Sequence, residues 1–229
     1  MFTNVVVVGT GRVGSAVAAR FAERVPTRTT GRDLDCDGAD LVVICVPDAA
    51  IAAVARRVPA GPYVAHMSGA TRLDALAPHE RRFSLHPLQT FKLGQGPEQL
   101  DGAWGAISAE TDVARSLAEG TALALGLRPF KLADDERPLY HAGAAVAASF
   151  LVTLREAAGD LLEEAGAPAE ALDPLMQRVV ENGFEHTGPH VRGDTETIAR
   201  HREAIARRRP ELDEFYRVLS ATTQRLALR

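Results

Sequence analysis

Residues 5–21, VVVVGTGRVGSAVAARF, set four valines before glycines at 9, 11 and 14, and small and apolar residues follow. An unbroken apolar run describes a strand covered on both faces. The segment VGSAVAARFAER after it describes a helix with small residues on one side. Each glycine has a physical task at such a junction. Gly9 permits a tight turn out of the strand, Gly11 lets the backbone come close to a pyrophosphate, and Gly14 lets helix and strand pack closely. The helix N-terminus adds unpaired N–H groups and a partial positive charge for an anion. Three glycines near a helix start can also be a plain loop. Here the buried strand before them and the βα unit after them favour a dinucleotide site, with Thr10, Arg12 and Val13 in the same turn.

The pattern of that first unit repeats along the chain. TRTTG reads as a short strand, ADLVVICVP as a second buried strand, and DAAIAAVARRV as a helix with Asp48 as its expected N-cap. PYVAHMSGA, RRFSLHPLQTF, GAWGAISA and LRPFKL read as further strands, with the helix TDVARSLAEGTALALG between the last two. Strands alternating with helices predict a doubly wound α/β domain with a mainly parallel sheet, over about 1–132. From about 133 to 229 no strand pattern appears. The stretch from Asp134 to Gly166 predicts one helix of roughly 30 residues, about 45 Å long. Three more helices are expected: one from Ala169, one capped by Asp194, and one with Pro210 in its first turn. The second, smaller domain is therefore expected to be all-α.

Composition limits the function classes. With 229 residues, 46% of them hydrophobic, the chain can bury a core without disulfides or metal. A net charge of −4 gives no electrostatic reason to expect nucleic acid as a partner. No apolar stretch reaches the ~18 residues of a membrane span, and no basic, apolar leader precedes the first strand. Cys45 sits in an apolar run and Cys36 among aspartates in an expected loop, at a spacing that fits no metal or redox motif. A cytoplasmic protein is expected.

The nucleotide type turns on the strand TRTTGRD. An acid about 20 residues past the glycines would take a ribose 2′-hydroxyl. Here Thr30 and Arg32 come first, and a guanidinium grips a phosphate dianion with two parallel hydrogen bonds. NADP(H) is therefore favoured over NAD, although Asp33 or Asp35 could still reach a 2′-hydroxyl. Chemistry in a parallel sheet collects at the carboxyl ends of strands. Val46 and Pro47 are expected on the nicotinamide side. Ser68 is either a substrate contact or a turn serine. His86 and Gln89 at a strand exit can orient a polar substrate, whereas His66 reads as a satisfied core histidine. His141 near the start of the long helix is either a general acid or structural, and Ser149 lies two turns beyond it. Arg192 could clamp a carboxylate or merely belong to an inter-helix loop. His186 and His190 with Glu181 or Glu185 could be drawn as a metal site, but Gly188 and Pro189 interrupt any helix that would align them, so no metal is expected.

The stretches VVVVGTGRVGSAVA, LVVICVPDAAI, VAHMSGA, SLHPLQTF, LYHAGAAVAASFLVTL and TGPHVRGDTETIARH cover most of the chain. They resemble a family of two-domain proteins within the 6-phosphogluconate dehydrogenase-like superfamily. Its members join a Rossmann-type NADP-binding half to a helical half once labelled a domain of unknown function. Relatives are the 3-hydroxyisobutyrate dehydrogenases, ketopantoate reductase, pyrroline-5-carboxylate reductase and the coenzyme-F420-linked NADP reductase. The resemblance implies an NADP-dependent oxidoreductase whose helical half often builds a homodimer. In better-known superfamily members a helix lysine, followed one turn later by an asparagine, carries the acid–base step. Here Ala145 and Ser149 stand at about that spacing, so the lysine is absent and His141 is the substitute. The expected reaction is hydride transfer between NADPH and a small carbonyl or imine compound, such as the 2-oxo acid ketopantoate. The competing expectation is a catalytically inactive NADP-binding redox sensor or partner-binding subunit.

Overall fold

In the computed structural model, which describes residues 2–227, the chain falls into two compact units, Met1–Val146 and Ala147–Arg229. The first carries seven strands: β1 (Val5–Val8), β2 (Thr27–Thr30), β3 (Leu41–Ile44), β4 (Tyr63–His66), β5 (Arg82–Leu88), β6 (Trp104–Ser108) and β7 (Arg128–Lys131). They form one sheet in the order β2-β1-β3-β4-β5-β6-β7. Helices α1 (Arg12–Ala22), α2 (Asp48–Ala55) and α3 (Asp112–Ala124) connect them. The valines of β1 divide between the faces, as the two-residue period of a strand requires. Val5 and Val7 join Ala16, Val17 and Phe21 of α1 and Ala118 and Ala122 of α3 in one core. Val6 and Val8 join Ile51 and Ala55 of α2, with Leu73 and Leu76, in the other.

The sheet is parallel except where β6 meets β5. The connection through residues 89–103 contains only a 3-10 turn, Pro97–Leu100. With no crossover helix to return the chain along the sheet, β6 runs back beside β5. Thr111 caps α3 by accepting from the Ala114 N–H. Asp48 is not the N-cap expected from the sequence. The cap position belongs to Pro47, no side chain caps there, and Asp48 is the first helical residue. Cys36 lies in the loop after β2 but is buried in the second core. Burial pushes the Cys45 thiol up to about 12.

The long helix α4 (Arg137–Glu164) has 28 residues, and a 3-10 turn, Asp134–Glu136, leads into it. Within the second unit follow α5 (Leu172–Glu181), α6 (Pro189–Arg192), α7 (Thr195–Arg208) and α8 (Asp213–Ala227). Asp194 caps α7 as expected, its carboxylate accepting from the Thr197 N–H. Pro210 opens a 3-10 turn that leads into α8. The second expected helix, read from the sequence as AEALDPLMQRVVENGFEH, stops early. It ends at Glu181, and Phe184 takes a left-handed φ of 62°. The end of α7 is tied to α4 by Arg208 on Glu164 and Arg209 on Asp160. No helix among the described residues is long and apolar enough to cross a membrane.

Candidate functional site

The order of the strands reverses at β1, with β2 on one side and β3 on the other, and the glycine turn leaves β1 at that point. Crevices beyond the carboxyl ends of strands at such a reversal are where ligands bind in open α/β sheets. Gly9 has φ 108° and donates its N–H to the Thr30 carbonyl. A Cβ there would collide with the Cys45 carbonyl oxygen, and one on Gly14 would strike the Gly9 carbonyl and sit 3.1 Å from Cys45 Cβ. These two glycines let α1 start hard against β1 and β3. Gly11 differs, because a Cβ there would meet nothing within 4 Å and would project into open space above the turn.

Gly11 is also the N-cap of α1, where no side chain caps and the first turn holds no acid. The positive end of α1, with the N–H groups of Arg12, Val13 and Gly14, is thus left for an external anion. Thr10, Gly11 and Arg12 are exposed, and Val13 is half-buried against the core. Val46 is half-buried at the exit of β3, and Pro47 beside it is exposed.

At the tip of β2, Thr30 uses its hydroxyl inside the loop, donating to the Asp33 carbonyl at 3.0 Å and accepting from the Asp35 N–H at 3.2 Å. The Arg32 carbonyl accepts from Arg57 Nη2 at 2.7 Å. Among the described residues the exposed Arg32 guanidinium has no hydrogen-bond or ion-pair partner. Asp35 is engaged by the Asp37 N–H and lies 3.9 Å from Arg28.

A second cluster gathers at the ends of β4 and β5 and the start of α4. His86 Nδ1 lies 2.7 Å from the Tyr140 hydroxyl, and the His86 and His141 rings meet edge to face with centroids 6.1 Å apart. Tyr140 packs in turn on Phe130, and Phe130 on Trp104. Below the two imidazoles sits Gly69, where a Cβ would lie 2.7 Å from His141 Cδ2 and 2.9 Å from His86 Nε2. Glycine is needed there because the rings occupy the space of any side chain. Ser68 is a turn serine in geometry. Its hydroxyl bonds Thr71 Oγ1 at 3.0 Å and accepts from the N–H groups of Ala70 and Thr71. His66 is fully buried, as expected, but only half satisfied: Nδ1 accepts from the Ser68 N–H at 3.2 Å, and Nε2 has no partner.

Burial sets the charge of these groups. It pushes His66 down to about 3 and His86 down to about 4, with the Arg137 cation adding to both and His141 to the second. Burial also pushes the Tyr140 phenol up to about 12. At neutral pH the cluster therefore holds two uncharged imidazoles and an uncharged phenol.

Arg137 supplies the cluster's cation, and sequence reasoning missed it, reading DDERP only as the opening of the long helix. It is 0% exposed. Nothing in one sequence marks this arginine as buried, because four of its five acceptors, on Ser68, Gly69, Ser84 and Ser108, lie far away along the chain.

Gln89, just beyond β5, is exposed and turns its Oε1 back to the Thr90 N–H. With Thr90, Phe91, Lys92, Gln95 and Gln99 it lines a polar cavity of about 310 Å³. Ser149 and Arg192 belong to the second unit, Ser149 on α4 with its carbonyl near the Thr153 hydroxyl, and Arg192 exposed at the end of α6. His190 pairs there with the Ser220 hydroxyl at 3.0 Å. The structure thus brings Ser68, His86 and His141 together, and separately the glycine turn with Thr30 and Val46.

A family model described as "Domain of unknown function (DUF2520)" matches residues 104–223. No curated protein matches the sequence. Solved structures share the fold over nearly the whole chain. A Bacteroides fragilis protein assigned as an NADP oxidoreductase is 19% identical, with a TM-score of 0.78, covering 97% of this chain and 98% of that one. Protein TM1727 from Thermotoga maritima is 20% identical, with the same TM-score and coverage. A 1-pyrroline-5-carboxylate reductase from Streptococcus pyogenes is 16% identical, with a TM-score of 0.65 over 98% of this chain and 97% of that one. At these identities the likeness is one of fold.

Proposed function

Taking as premise that the chain belongs to this DUF2520 family, we propose that it is an NADP-dependent oxidoreductase acting on a small carbonyl or imine compound, a 2-oxo acid such as ketopantoate being one candidate. The observation that carries the reading is the uncapped, acid-free N-terminus of α1, set at the strand-order reversal with open space over Gly11. Backbone N–H groups of Arg12, Val13 and Gly14 suit a diphosphate. Arg32, whose guanidinium has no partner among the described residues, suits a 2′-phosphate, and Thr30 shapes the loop that presents it. Val46 and Pro47 form the adjoining wall.

When bound, the cofactor supplies a hydride from its nicotinamide ring. The chain's own residues hold the acceptor and manage the proton. His86 stays uncharged. With the protonated Tyr140 phenol donating to Nδ1, its ring proton resides on Nε2, on the side of Gly69 and His141. An Nε2–H so placed donates a hydrogen bond to an oxygen or nitrogen that gains electron density. His141, the exposed member of the pair, gives the proton. Ser68 shapes the floor through its turn, while Gln89 enters as a candidate contact for the substrate's polar groups. The exposed Phe150 and Val152 of α4 support self-association into a homodimer, and sedimentation would show it as a doubled mass.

The test is oxidation of NADPH with a panel of 2-oxo acids, aldehydes and imines. Turnover of one class, reduced about 100-fold or more in His141→Ala, is expected. The absence of the superfamily lysine, with Ala145 in its place, favours a second reading as a redox sensor. Tight NADPH binding with no oxidation of any candidate would select it.

A further inference from the structure

We infer that Arg137 is a positioning residue for this site, clamping the Ser68–Gly69 turn to the strand ends and thereby seating the His86 and His141 rings. The inference rests on the reading of that cluster as the reaction site.

A guanidinium has five N–H groups in a rigid fork, and Arg137 gives each an acceptor. Nε donates to Asp134 Oδ1 at 3.0 Å. Nη1 donates to the Ser68 carbonyl at 2.9 Å and the Gly69 carbonyl at 3.3 Å. Nη2 donates to the Ser84 hydroxyl of β5 and, at 2.9 Å, to the Ser108 hydroxyl of β6. Ser108 donates its own O–H to the Leu132 carbonyl at 2.8 Å. One side chain from the first turn of α4 thus joins the exit of β4, the strands β5 and β6, and the chain after β7.

Two of these bonds bear on the chemistry. Gly69 has no side chain because His86 and His141 stand over it, so a shift of its backbone must move the rings. The fork grips the carbonyls on both sides of Gly69. A buried cation in this place also disfavours a second positive charge on His86. The groups facing His86 are His66 at the end of β4, Asp48 at the start of α2, and Arg137, Tyr140 and His141 on α4. Asp48 alone among them favours protonation. A buried arginine is costly to leave half-satisfied. Its five bonds, one to the Asp134 carboxylate and four to neutral acceptors, leave it fully satisfied, and its guanidinium lowers the proton affinity of both His66 and His86.

The test compares Arg137→Met and Arg137→Lys by NMR on the full chain with labelled histidines, the His86 signal being identified by its loss in His86→Gln. In the folded Met variant, His86 is expected to titrate at higher pH than in the parent, with burial and His141 still holding it below its ordinary value. The Ala70 and Thr71 amides, bonded to Ser68 Oγ, are expected to exchange at least about tenfold faster as the turn loosens. Lys keeps the charge and loses the fork, so it should keep the His86 titration near that of the parent while amide exchange still quickens. An unchanged titration or unchanged exchange in Arg137→Met overturns the inference. If only Arg137→Lys folds, its exchange decides in the same way. If neither folds, Arg137 is a folding residue only, and the inference is also overturned. None of these readouts needs turnover, so a failure of NADPH oxidation would sink the proposed activity without touching them.

Discussion

Gly69 condenses the site into one missing methyl group. In the sequence it is the glycine at the exit of a strand, and nothing there says why. In the fold, a Cβ would stand 2.7 Å from His141 Cδ2 and 2.9 Å from two atoms of the His86 ring. Gly69→Ala should therefore cost about 1–3 kcal/mol in urea unfolding and displace both imidazole resonances. A neutral effect on both would mean that the rings are not seated there. The buried His66 and the half-buried His86 make a second expectation. Their folded-state values, about 3 for His66 and about 4 for His86, lie below the ordinary value of about 6.5. Below that value the unfolded chain takes up protons that the folded one refuses, so stability is whole above pH ~6.5 and lost as pH falls toward 4. Each ring contributes a slope of about 1.4 kcal/mol per pH unit in that window. Denaturant midpoints at pH 7.5, 6.0 and 5.0 measure it, and a flat profile contradicts the burial. The residue types of this cluster were legible from sequence as polar groups at strand exits. Their pairing was not, because Tyr140 and His86 are brought together only by the docking of α4 on β5.

At the scale of elements, the opening strand and helix were legible because each local signal agrees with its neighbours. Four apolar residues, a glycine with positive φ and a small-residue helix face all ask for the same packing. The β6 reversal was less so, since a strand's pattern reports burial and not direction. It follows from a connection too poor in helix to cross back. Helix starts divide in the same way. Thr111 and Asp48 are both polar residues at the start of a helical pattern, but only Thr111 stands one residue outside its helix with a side chain on an inner N–H. Thr111→Ala should cost about 1 kcal/mol by loss of its cap. Asp48→Ala should cost less, roughly 0.5 kcal/mol, since only a charge near a helix end is removed. Thermal unfolding of the two variants side by side would show the order, and equal losses would mean that Asp48 does cap α2.

For the molecule as a whole, the sequence supports an α/β sheet followed by helices, and the fold has that form. The charge balance inside it was out of reach. Arg137 is buried by partners in the turn after β4 and on β5 and β6 and looks from its neighbours like a surface residue. The functional reading rests on the glycine turn at the strand-order reversal and on Arg32 beyond the tip of β2. Charge-assisted bonds of a guanidinium to a phosphate contribute about 1.5–3 kcal/mol, or roughly 10- to 100-fold in affinity. The most direct measurement is calorimetric titration of the folded protein with NADPH and with NADH, repeated on Arg32→Ala. NADPH is expected to bind more tightly than NADH, with Arg32→Ala erasing that preference and leaving NADH unchanged. No heat from either nucleotide at millimolar concentration would contradict the dinucleotide site itself, and an undiminished NADPH preference in Arg32→Ala would contradict the phosphate pocket.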